Sequence, residues 1–451
     1  MQVRIRWFTL SVSAVMLVAL ALPASADHAT RPSTGNIHAK GHSAHPATFA
    51  VPDGQRKISS DIAFWGNVAF EGNYDGFRVI DISDPDNPTL ISHPECNGDQ
   101  GDILIWENIL VRSWNSPAPA GRTCDGEAVP VGFEGLHIWD VSNLEDPDLI
   151  GEVELSARPE ADAFGCGSHT ATLVPDLEND RLLVYNQTSG GPCPFIGIVE
   201  VPLDDPASAA FLRNEPLVGA GACHDSAVIL GEVNMMVCAS QAQANVYALP
   251  DGSLHDPEFL YTISEAGVGV GGNWHSAGFT WDGEVIILGW EPGGGGQAEC
   301  EASDPVVKKS MFFYDATTGV KLGQWVLPRP QGPDENCTIH NYNIVPLRSG
   351  RYVAVSGNYQ AGTWVTDFTD PANPVTVAWS DPPSLGPGPF CGASVPPGCQ
   401  LGGAWSSYWY NNFVYESDIT TGLNVFRVSD SRTGGAIRLG HLNPQTQEFS
   451  M

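Results

Sequence analysis

A sixteen-residue phrase returns along the chain and constrains its fold more than any other feature. Three copies are close to one another: GFRVIDISDPDNPTLI at 76–91, GLHIWDVSNLEDPDLI at 135–150 and GTWVTDFTDPANPVTV at 362–377. Four weaker copies lie at 197–212, 246–261, 312–327 and 424–439. Each copy predicts a strand, a turn rich in Asp, Ser, Pro or Gly, and a second strand, because proline fixes φ and keeps the preceding residue out of helix. Such repetition predicts a fold built from copies of one unit.

A second phrase carries a histidine in the same place in each of four copies. The copies are SHTATLV at 168–174, CHDSAVI at 223–229, WHSAGFT at 274–280 and IHNYNIV at 339–345. Another short apolar run follows each copy, so the phrase predicts a strand, a tight turn and a further strand. The four histidines, which are His169, His224, His275 and His340, are separated by 55, 51 and 65 residues.

Together the two phrases predict seven units of four strands. The predicted fold is therefore all-β, a seven-bladed β-propeller of four-stranded antiparallel blades, which leaves only short sheet edges. Composition agrees, since glycine (49) and proline (35) are abundant and amphipathic helical patterns are almost absent. The innermost strands should line a central channel, and they are expected at 59–64, 101–106, 168–174, 223–229, 274–280, 339–345 and 404–409.

The first phrase also resembles a known repeat. FRVIDISDPDNP, LHIWDVSNLEDP and WVTDFTDPANP are similar to LVIVD repeats, which occur in exported bacterial and archaeal propellers. The resemblance covers nearly all of the chain beyond its first residues, with three good copies and four degenerate ones. It implies the propeller fold and an extracellular setting, and it implies little about activity.

The N-terminal region predicts export. Residues 1–26 read as a signal peptide, because Arg4 and Arg6 precede an apolar run and Ala24-Ser25-Ala26 is a small-residue cleavage site. Residues 27–56 form a polar, low-complexity segment that is expected to be a disordered lead-in, although its histidines could also capture metal. Residues 57–445 are assigned to the propeller. The mature protein is therefore expected to be secreted, with no membrane span.

The number of cysteines and the net charge limit the compartment and the classes of partner that this chain can have. Ten cysteines suit an oxidising compartment, and the easiest pairing joins neighbours: Cys96–Cys124, Cys166–Cys193, Cys223–Cys238, Cys300–Cys337 and Cys391–Cys399. The formal charge is −31, which argues against nucleic acid and anionic lipid as partners. The expected partners are an extracellular protein, a polysaccharide or a small molecule, and the chain is expected to be a monomer.

The repeated histidine predicts a metal site on the propeller axis. Equivalent positions in a circular repeat should bring the four imidazoles toward one point, where they would suit iron, copper, zinc or nickel. Asp61, Asp102 and Trp405 are expected on the side of the channel that lacks histidine, and Asp225 is a candidate hydrogen-bond acceptor for a ligand. Four axial histidines hold iron in carotenoid cleavage oxygenases, and selenium-binding proteins resemble these in architecture, but no shared sequence motif is present here. The alternatives are histidines that only hydrogen-bond neighbouring strands, and mixed ligation with cysteine.

The sequence favours an extracellular or surface binding module and leaves one alternative open. The binding module would recognise a partner through loops over the disc, and metal binding is compatible with both functions. The alternative is a metal-dependent oxidoreductase that uses the axial site. An enzyme would need an accessible cavity at the site, whereas a binding module would present a broad apolar or aromatic patch on one face. The remaining histidines His93, His137, His255 and His441 do not share the repeat position and are expected in turns or on the surface.

Overall fold

A computed structural model describes residues 30–49, 56–156, 166–188, 193–219, 221–241, 243–269, 272–388, 399–449 and 451. The expected signal peptide, residues 1–26, lies outside the described residues. The helices that the described part contains are short 3₁₀ turns at Leu177–Asn179, Pro206–Ser208, Gly293–Gly295, Val306–Lys309 and Ser431–Thr433. None of these helices has the length and apolar character needed to cross a membrane. The predicted all-β class is confirmed.

Five antiparallel sheets each contain four strands that follow one another in the chain. The first contains Ser59–Trp65, Val68–Asn73, Gly76–Asp81 and Thr89–Ser92. The second contains Ile103–Trp106, Ile109–Trp114, Gly135–Asp140 and Asp148–Glu154, with a small hairpin, Thr123–Cys124 and Glu127–Ala128, inserted between its middle strands. The third contains Ala171–Asp176, Arg181–Asn186, Phe195–Pro202 and Ala210–Pro216. The fourth contains Cys223–Ile229, Met235–Ser240, Ala244–Ala248 and Glu258–Ile263. The fifth contains Gly272–Phe279, Val285–Pro292, Ser310–Asp315 and Lys321–Val326.

Eight further strands form one sheet. One half contains Asn341–Ile344, Val353–Gly357, Thr363–Asp367 and Val375–Ser380, and the other contains Ala404–Tyr410, Phe413–Asp418, Gly422–Val428 and Ile37–Ala44. The two halves are joined by a single parallel pair, Asn341 with Ser406. The five sheets and the two halves of the eight-stranded sheet each have one first strand. Each first strand contacts the first strand of the following sheet or half-sheet, and the last of them, Ala404–Tyr410, contacts Ser59–Trp65 of the first sheet. This closed ring of first strands makes the protein a β-propeller.

The hydrophobic core lies between neighbouring sheets. Middle strands such as Val285–Pro292 are buried at every residue, because both faces of each sheet pack on another sheet. Outer strands such as Glu258–Ile263 are mostly exposed. Phe77 of the first sheet packs edge-on against Trp139 of the second, with ring centroids 5.1 Å apart. This packing explains why the apolar runs in the sequence are continuous in middle strands and interrupted in outer ones.

The N-terminal segment closes the ring, which differs from the expectation of a disordered lead-in over 27–56. Ile37–Ala44, which we call the closing strand, pairs antiparallel with Gly422–Val428 and so supplies the outer strand of the last half-sheet. Upstream of it, Arg31 donates hydrogen bonds to Glu416 (2.6 Å) and Asp418 (2.8 Å). The sequence reading failed here because a lone polar strand gains its stability from a partner almost 400 residues away in the chain, which no local pattern reveals.

Four of the predicted disulfides are present: Cys96–Cys124, Cys166–Cys193, Cys223–Cys238 and Cys300–Cys337. The fifth expected pair includes Cys391, which lies outside the described residues. Several disulfides indicate an oxidising compartment, because cytosolic reductants keep such thiols reduced.

The C-terminal tail crosses the end of the channel where the first strands finish. His441–Leu442 pairs with the end of the first strand of the first sheet, and Thr446–Gln447 pairs with the end of the first strand of the fourth. Between them, Asn443 exchanges two hydrogen bonds with the backbone of Ile105, at 2.8 and 2.9 Å. The tail, residues 441–447, thus contacts several sheets at once and forms a floor across the channel.

His137 is fully buried, so its expected surface or turn location is wrong. It packs beneath Phe133, with ring centroids 4.9 Å apart, and burial lowers the pKa of His137 to about 3, with Arg112 acting in the same direction. Because this folded pKa lies below the unfolded value, the unfolded state binds more protons between about pH 3 and 6.5, and stability falls as pH drops through this window.

We expect His137→Phe to remove this acid sensitivity. Between pH 7 and pH 5 the parent should lose about 2 kcal/mol of unfolding free energy through this residue alone, and the variant should not. Denaturant unfolding at both pH values measures the difference, with exposed His38→Phe as the control. An equal loss in parent and variant would contradict the assignment.

Candidate metal centre

Irregular strand pairing sets the direction of two of the four repeated histidines. The register shifts between Cys223 and Asp225, and again between Trp274 and Ser276, so His224 and His275 each occupy a β-bulge. A bulged residue is left out of the ladder and its side chain is turned away from the regular alternation. In the other two copies, His169 and His340 come just before the strands that begin at Ala171 and Asn341.

The structure brings the four predicted histidines side by side at the beginning of the first strands. Consecutive ring centroids are 4.5 Å apart for His169 and His224, 4.1 Å for His224 and His275, and 4.4 Å for His275 and His340. All four are buried, with exposed fractions between 1% and 7%. The Nε2 atoms of His169 and His224 are 3.0 Å apart. As metal ligands, the four residues stay a prediction.

Neighbouring groups fix the orientation of the two outer imidazoles. His169 Nδ1 lies 3.0 Å from Asn115 Oδ1, and His340 Nδ1 is hydrogen-bonded to the carbonyl oxygen of Trp405. Because the Trp405 carbonyl oxygen can only accept, His340 carries its proton on Nδ1 and a lone pair on Nε2, which lies 3.6 Å from Glu291 Oε1. The amide nitrogen of Gln100 also lies 2.8 Å from His169 Nδ1. Ligating histidines commonly donate their second N–H to such an acceptor. The backbone also couples the copies, since Ser113 Oγ donates to the His169 carbonyl at 2.7 Å.

Glu291 joins the cluster, and sequence reasoning missed it. It ends the strand Val285–Pro292, which pairs with the strand that carries His275. Glu291 Oε2 is 3.5 Å from His275 Nε2, and Glu291 Oε1 is 3.6 Å from His340 Nε2. Tyr359 donates a hydrogen bond to Oε1 at 2.7 Å. A sequence signal was present: Glu291 is the one carboxylate in the apolar run VIILGWEP, near the end of the strand that follows the histidine phrase.

Burial keeps this cluster uncharged. Desolvation lowers the pKa of His224 to about 4 and that of His340 to about 3. The pKa values of His169 and His275 also fall well below the usual value, through desolvation and then through neighbouring histidines. Desolvation raises the pKa of Glu291 to about 8, although the hydrogen bond from Tyr359 opposes this. At neutral pH the imidazoles therefore keep lone pairs available for a metal.

The predicted channel residues Asp61, Asp102 and Asp225 lie together between the histidines and the C-terminal floor. All three are buried and line the same cavity as the histidines. Asp61 accepts hydrogen bonds from Tyr408 (2.7 Å) and from Gln445 of the tail (3.3 Å). Desolvation, followed by repulsion from Asp61, raises the pKa values of Asp102 and Asp225 well above their usual range.

Trp405 occupies the bulge position that holds histidine in two of the other copies, since the register shifts between Ala404 and Ser406. Its indole ring lies 5.1 Å from that of His340 and 6.4 Å from that of Tyr74. The cavity bounded by the histidines, the aspartates and these aromatic rings has a volume of about 360 Å³. Arg56 and the Gly293–Gly296 loop lie on its solvent side. The cavity is large enough for a small molecule.

The geometry agrees with the donor set of a transition-metal site. His224, His275 and Glu291 each offer one ligand atom, and these atoms lie within 4.8 Å of one another. Two nitrogens at about 2.0–2.1 Å from one metal, in adjacent positions at a right angle, are about 2.9 Å apart. The 3.0 Å separation of His169 and His224 matches that value. Buried His and Glu groups here could therefore hold a metal.

Comparison with known proteins identifies one of the repeats and supports the fold. Residues 58–93 match the family described as LVIVD repeat. The chain carries an LVIVD repeat. This LVIVD-repeat propeller superposes on the Dos1 propeller with a TM-score of 0.50, covering 89% of this chain and 83% of that chain at 10% sequence identity. At that identity the similarity concerns the fold alone, and it confirms the predicted propeller. No curated protein matches the chain.

Proposed function

We propose that this chain is an exported, seven-bladed propeller that works as a metal-dependent oxidoreductase on a small molecule. The blade count treats each half of the eight-stranded sheet as one blade, because each half contributes one first strand to the closed ring. The disulfides and the N-terminal sequence support export. His169, His224, His275 and His340, with Glu291, would hold the metal.

One observation carries the proposal: a His- and Glu-lined cluster opens onto a cavity of about 360 Å³. Imidazole-rich sites suit copper, iron, zinc and nickel, and of these copper and iron would supply the one-electron chemistry that an oxidoreductase needs. Tyr359 donates a hydrogen bond to Glu291 beside the histidines, and this bond orients the carboxylate that would bind the metal. Trp405 and Tyr74 provide the aromatic wall on which a substrate could pack.

The alternative of a binding module has less support. The exposed large apolar residues of the described chain are scattered, many of them on the outer strands of different sheets, such as Leu90, Leu212, Phe259 and Leu322. A face that recognises a macromolecule usually presents a contiguous apolar patch. The polar, buried cavity on the axis suits a small molecule better.

Elemental analysis of untagged mature protein tests the metal site. His224→Ala/His275→Ala should lose one equivalent of copper or iron relative to the parent, whereas exposed His38→Ala should keep it. Circular dichroism and thermal unfolding confirm that the variants fold. Equal metal content in the double variant and the parent would contradict the site.

Redox cycling tests the reaction class. The copper-loaded protein should lose its Cu(II) electron paramagnetic resonance signal on addition of ascorbate and regain it in air, with the metal retained. His224→Ala/His275→Ala should show no such protein-bound signal. Release of copper on reduction, or preference for zinc in an equimolar mixture of zinc, copper and iron, would argue against an oxidoreductase and leave a structural metal.

A further inference from the structure

A second cluster of metal-binding side chains lies where the N-terminal segment meets the first sheet. His45 follows directly after the closing strand, Asp75 lies in the turn before Gly76–Asp81, and His93 follows Thr89–Ser92. One ligand atom from each of the three lies within 4.8 Å of the others. The cluster is separate from the axial histidines and plays no part in the function proposed above.

The distances leave room for an ion between the side chains. His45 Nε2 is 3.6 Å from Asp75 Oδ1, and His93 Nε2 is 3.9 Å from Asp75 Oδ2. Both separations are too long for hydrogen bonds. Ligands at about 2.0–2.2 Å from a shared zinc, with angles of about 110–120°, are about 3.4–3.6 Å apart. The cluster therefore needs only a small contraction to coordinate one ion.

One carboxylate oxygen of the cluster is left without a hydrogen bond. Asp75 is 2% exposed, and its Oδ1 accepts no hydrogen bond from the described residues. A buried acceptor of this kind costs free energy unless a donor or a cation satisfies it. Lys57 Nζ approaches the other oxygen, Oδ2, at 3.4 Å, but about half of the Lys57 side chain is exposed, so it can move away into solvent.

The two histidines are prepared to act as ligands. His45 Nδ1 lies 3.1 Å from Ser59 Oγ, which holds one ring nitrogen in a hydrogen bond and leaves Nε2 facing the carboxylate. The side chain of His93 is 27% exposed, and its Nε2 lies 3.4 Å from Asn73 Oδ1, a long contact that a metal could replace. The exposed side of His93 allows water to complete the coordination.

We propose that His45, Asp75 and His93 bind a divalent transition metal, with zinc as the reference ion, and that the metal fastens the N-terminal segment to the first sheet. The closing strand already belongs to the last half-sheet through its pairing with Gly422–Val428. A metal at His45 links that same segment to the first sheet. The ion therefore bridges the two sheets between which the propeller ring closes.

The test uses full mature protein that carries His224→Ala/His275→Ala, so that the axial cluster contributes no metal. This background should bind one equivalent of zinc, and added zinc should raise its midpoint of thermal unfolding. Asp75→Asn, His45→Ala and His93→Gln should each abolish the zinc-dependent rise, whereas exposed His38→Ala on the same closing strand should keep it. With Co²⁺, the parent background should show visible d–d absorption that the three variants lack.

Measurements on the N-terminal segment distinguish fastening of that segment from zinc binding alone. Zinc should slow proteolysis and amide exchange within residues 30–49 of the background protein, and not in Asp75→Asn. His93→Gln, on the exposed side, provides a folded variant if the buried substitutions unfold. A background protein that takes up no zinc, or variants that keep the full equivalent, would overturn the proposal. An unfolding midpoint of the background protein that does not change with zinc would also overturn it.

Metal counts in four proteins keep this proposal distinct from the axial one. The parent should hold two equivalents, His224→Ala/His275→Ala one, His45→Ala/His93→Gln one, and the combined variant none. Each site can fail without the other, because the two pairs of substitutions share no residue.

Discussion

Replacement of Arg31 by alanine is expected to lower the free energy of unfolding by about 3–5 kcal/mol, which is the usual cost of removing one member of a buried ion cluster. The guanidinium is 3% exposed and bridges two carboxylates, Glu416 (0%) and Asp418 (2%), on the strand Phe413–Asp418. Burial acts to lower the pKa of Arg31, but the two carboxylates outweigh it and raise that pKa. Without the arginine, two acids remain in the interior with no cation.

Chemical denaturation of Arg31→Ala measures this effect, with Arg427→Ala as the control. Arg427 is exposed and lies on the strand that pairs with the closing strand. The exposed control should change stability by no more than about 0.5 kcal/mol. Adding Glu416→Gln to Arg31→Ala should restore part of the loss, because it removes one of the unpaired charges. Equal stability of Arg31→Ala and the parent would show that the segment before the closing strand contributes little to ring closure.

Glu291→Gln is expected to weaken metal binding at the axial cluster by at least about 10–100-fold, the range found when a group that supports a metal site is removed. The substitution keeps the shape of the side chain and a carbonyl oxygen for the hydrogen bond from Tyr359. It removes the carboxylate that lies 3.5 Å from His275 and 3.6 Å from His340. Only the metal, and not the fold, should respond.

Competition with a chromophoric chelator measures the affinity, in protein that carries His45→Ala/His93→Gln so that one site remains. Glu299→Gln is the matched control: it is also buried, but it pairs with Lys308 instead of the histidines. Tyr359→Phe should produce a smaller loss, because it removes only the hydrogen bond to Glu291. If Glu291→Gln bound metal as tightly as the parent, the histidines alone would form the site.

The repeated phrases predicted the regular part of the fold because each copy is a complete local unit. The strand Cys223–Ile229 has the predicted bounds, and the four repeated histidines lie side by side. Prediction failed where a segment depends on a distant partner. The closing strand is polar on one face and pairs with the end of the chain, so its own sequence carries only a weak strand signal.

The candidate site was predicted in the same uneven way. His224 and His275 could be found because repetition placed them in register, but the bulges that aim them depend on hydrogen bonding between strands. Glu291 lies outside both phrases, at the end of a second strand, and reaches the histidines through hairpin pairing. A search for carboxylates opposite each repeated histidine would have found it.

The C-terminal floor covers one end of the axial cavity, which affects how small molecules enter and leave it. Gln445 contacts Asp61, Thr446 Oγ1 donates to the Leu173 carbonyl, and Gln447 donates to the Phe279 carbonyl, so one short stretch is bonded to three sheets at the far end. In the described chain, we therefore expect a small molecule to enter past Arg56 and the Gly293–Gly296 loop and to leave by the same route. In a cavity with one opening, a bound molecule has to leave before the next can bind. The rate at which product leaves would then set an upper limit on the turnover rate.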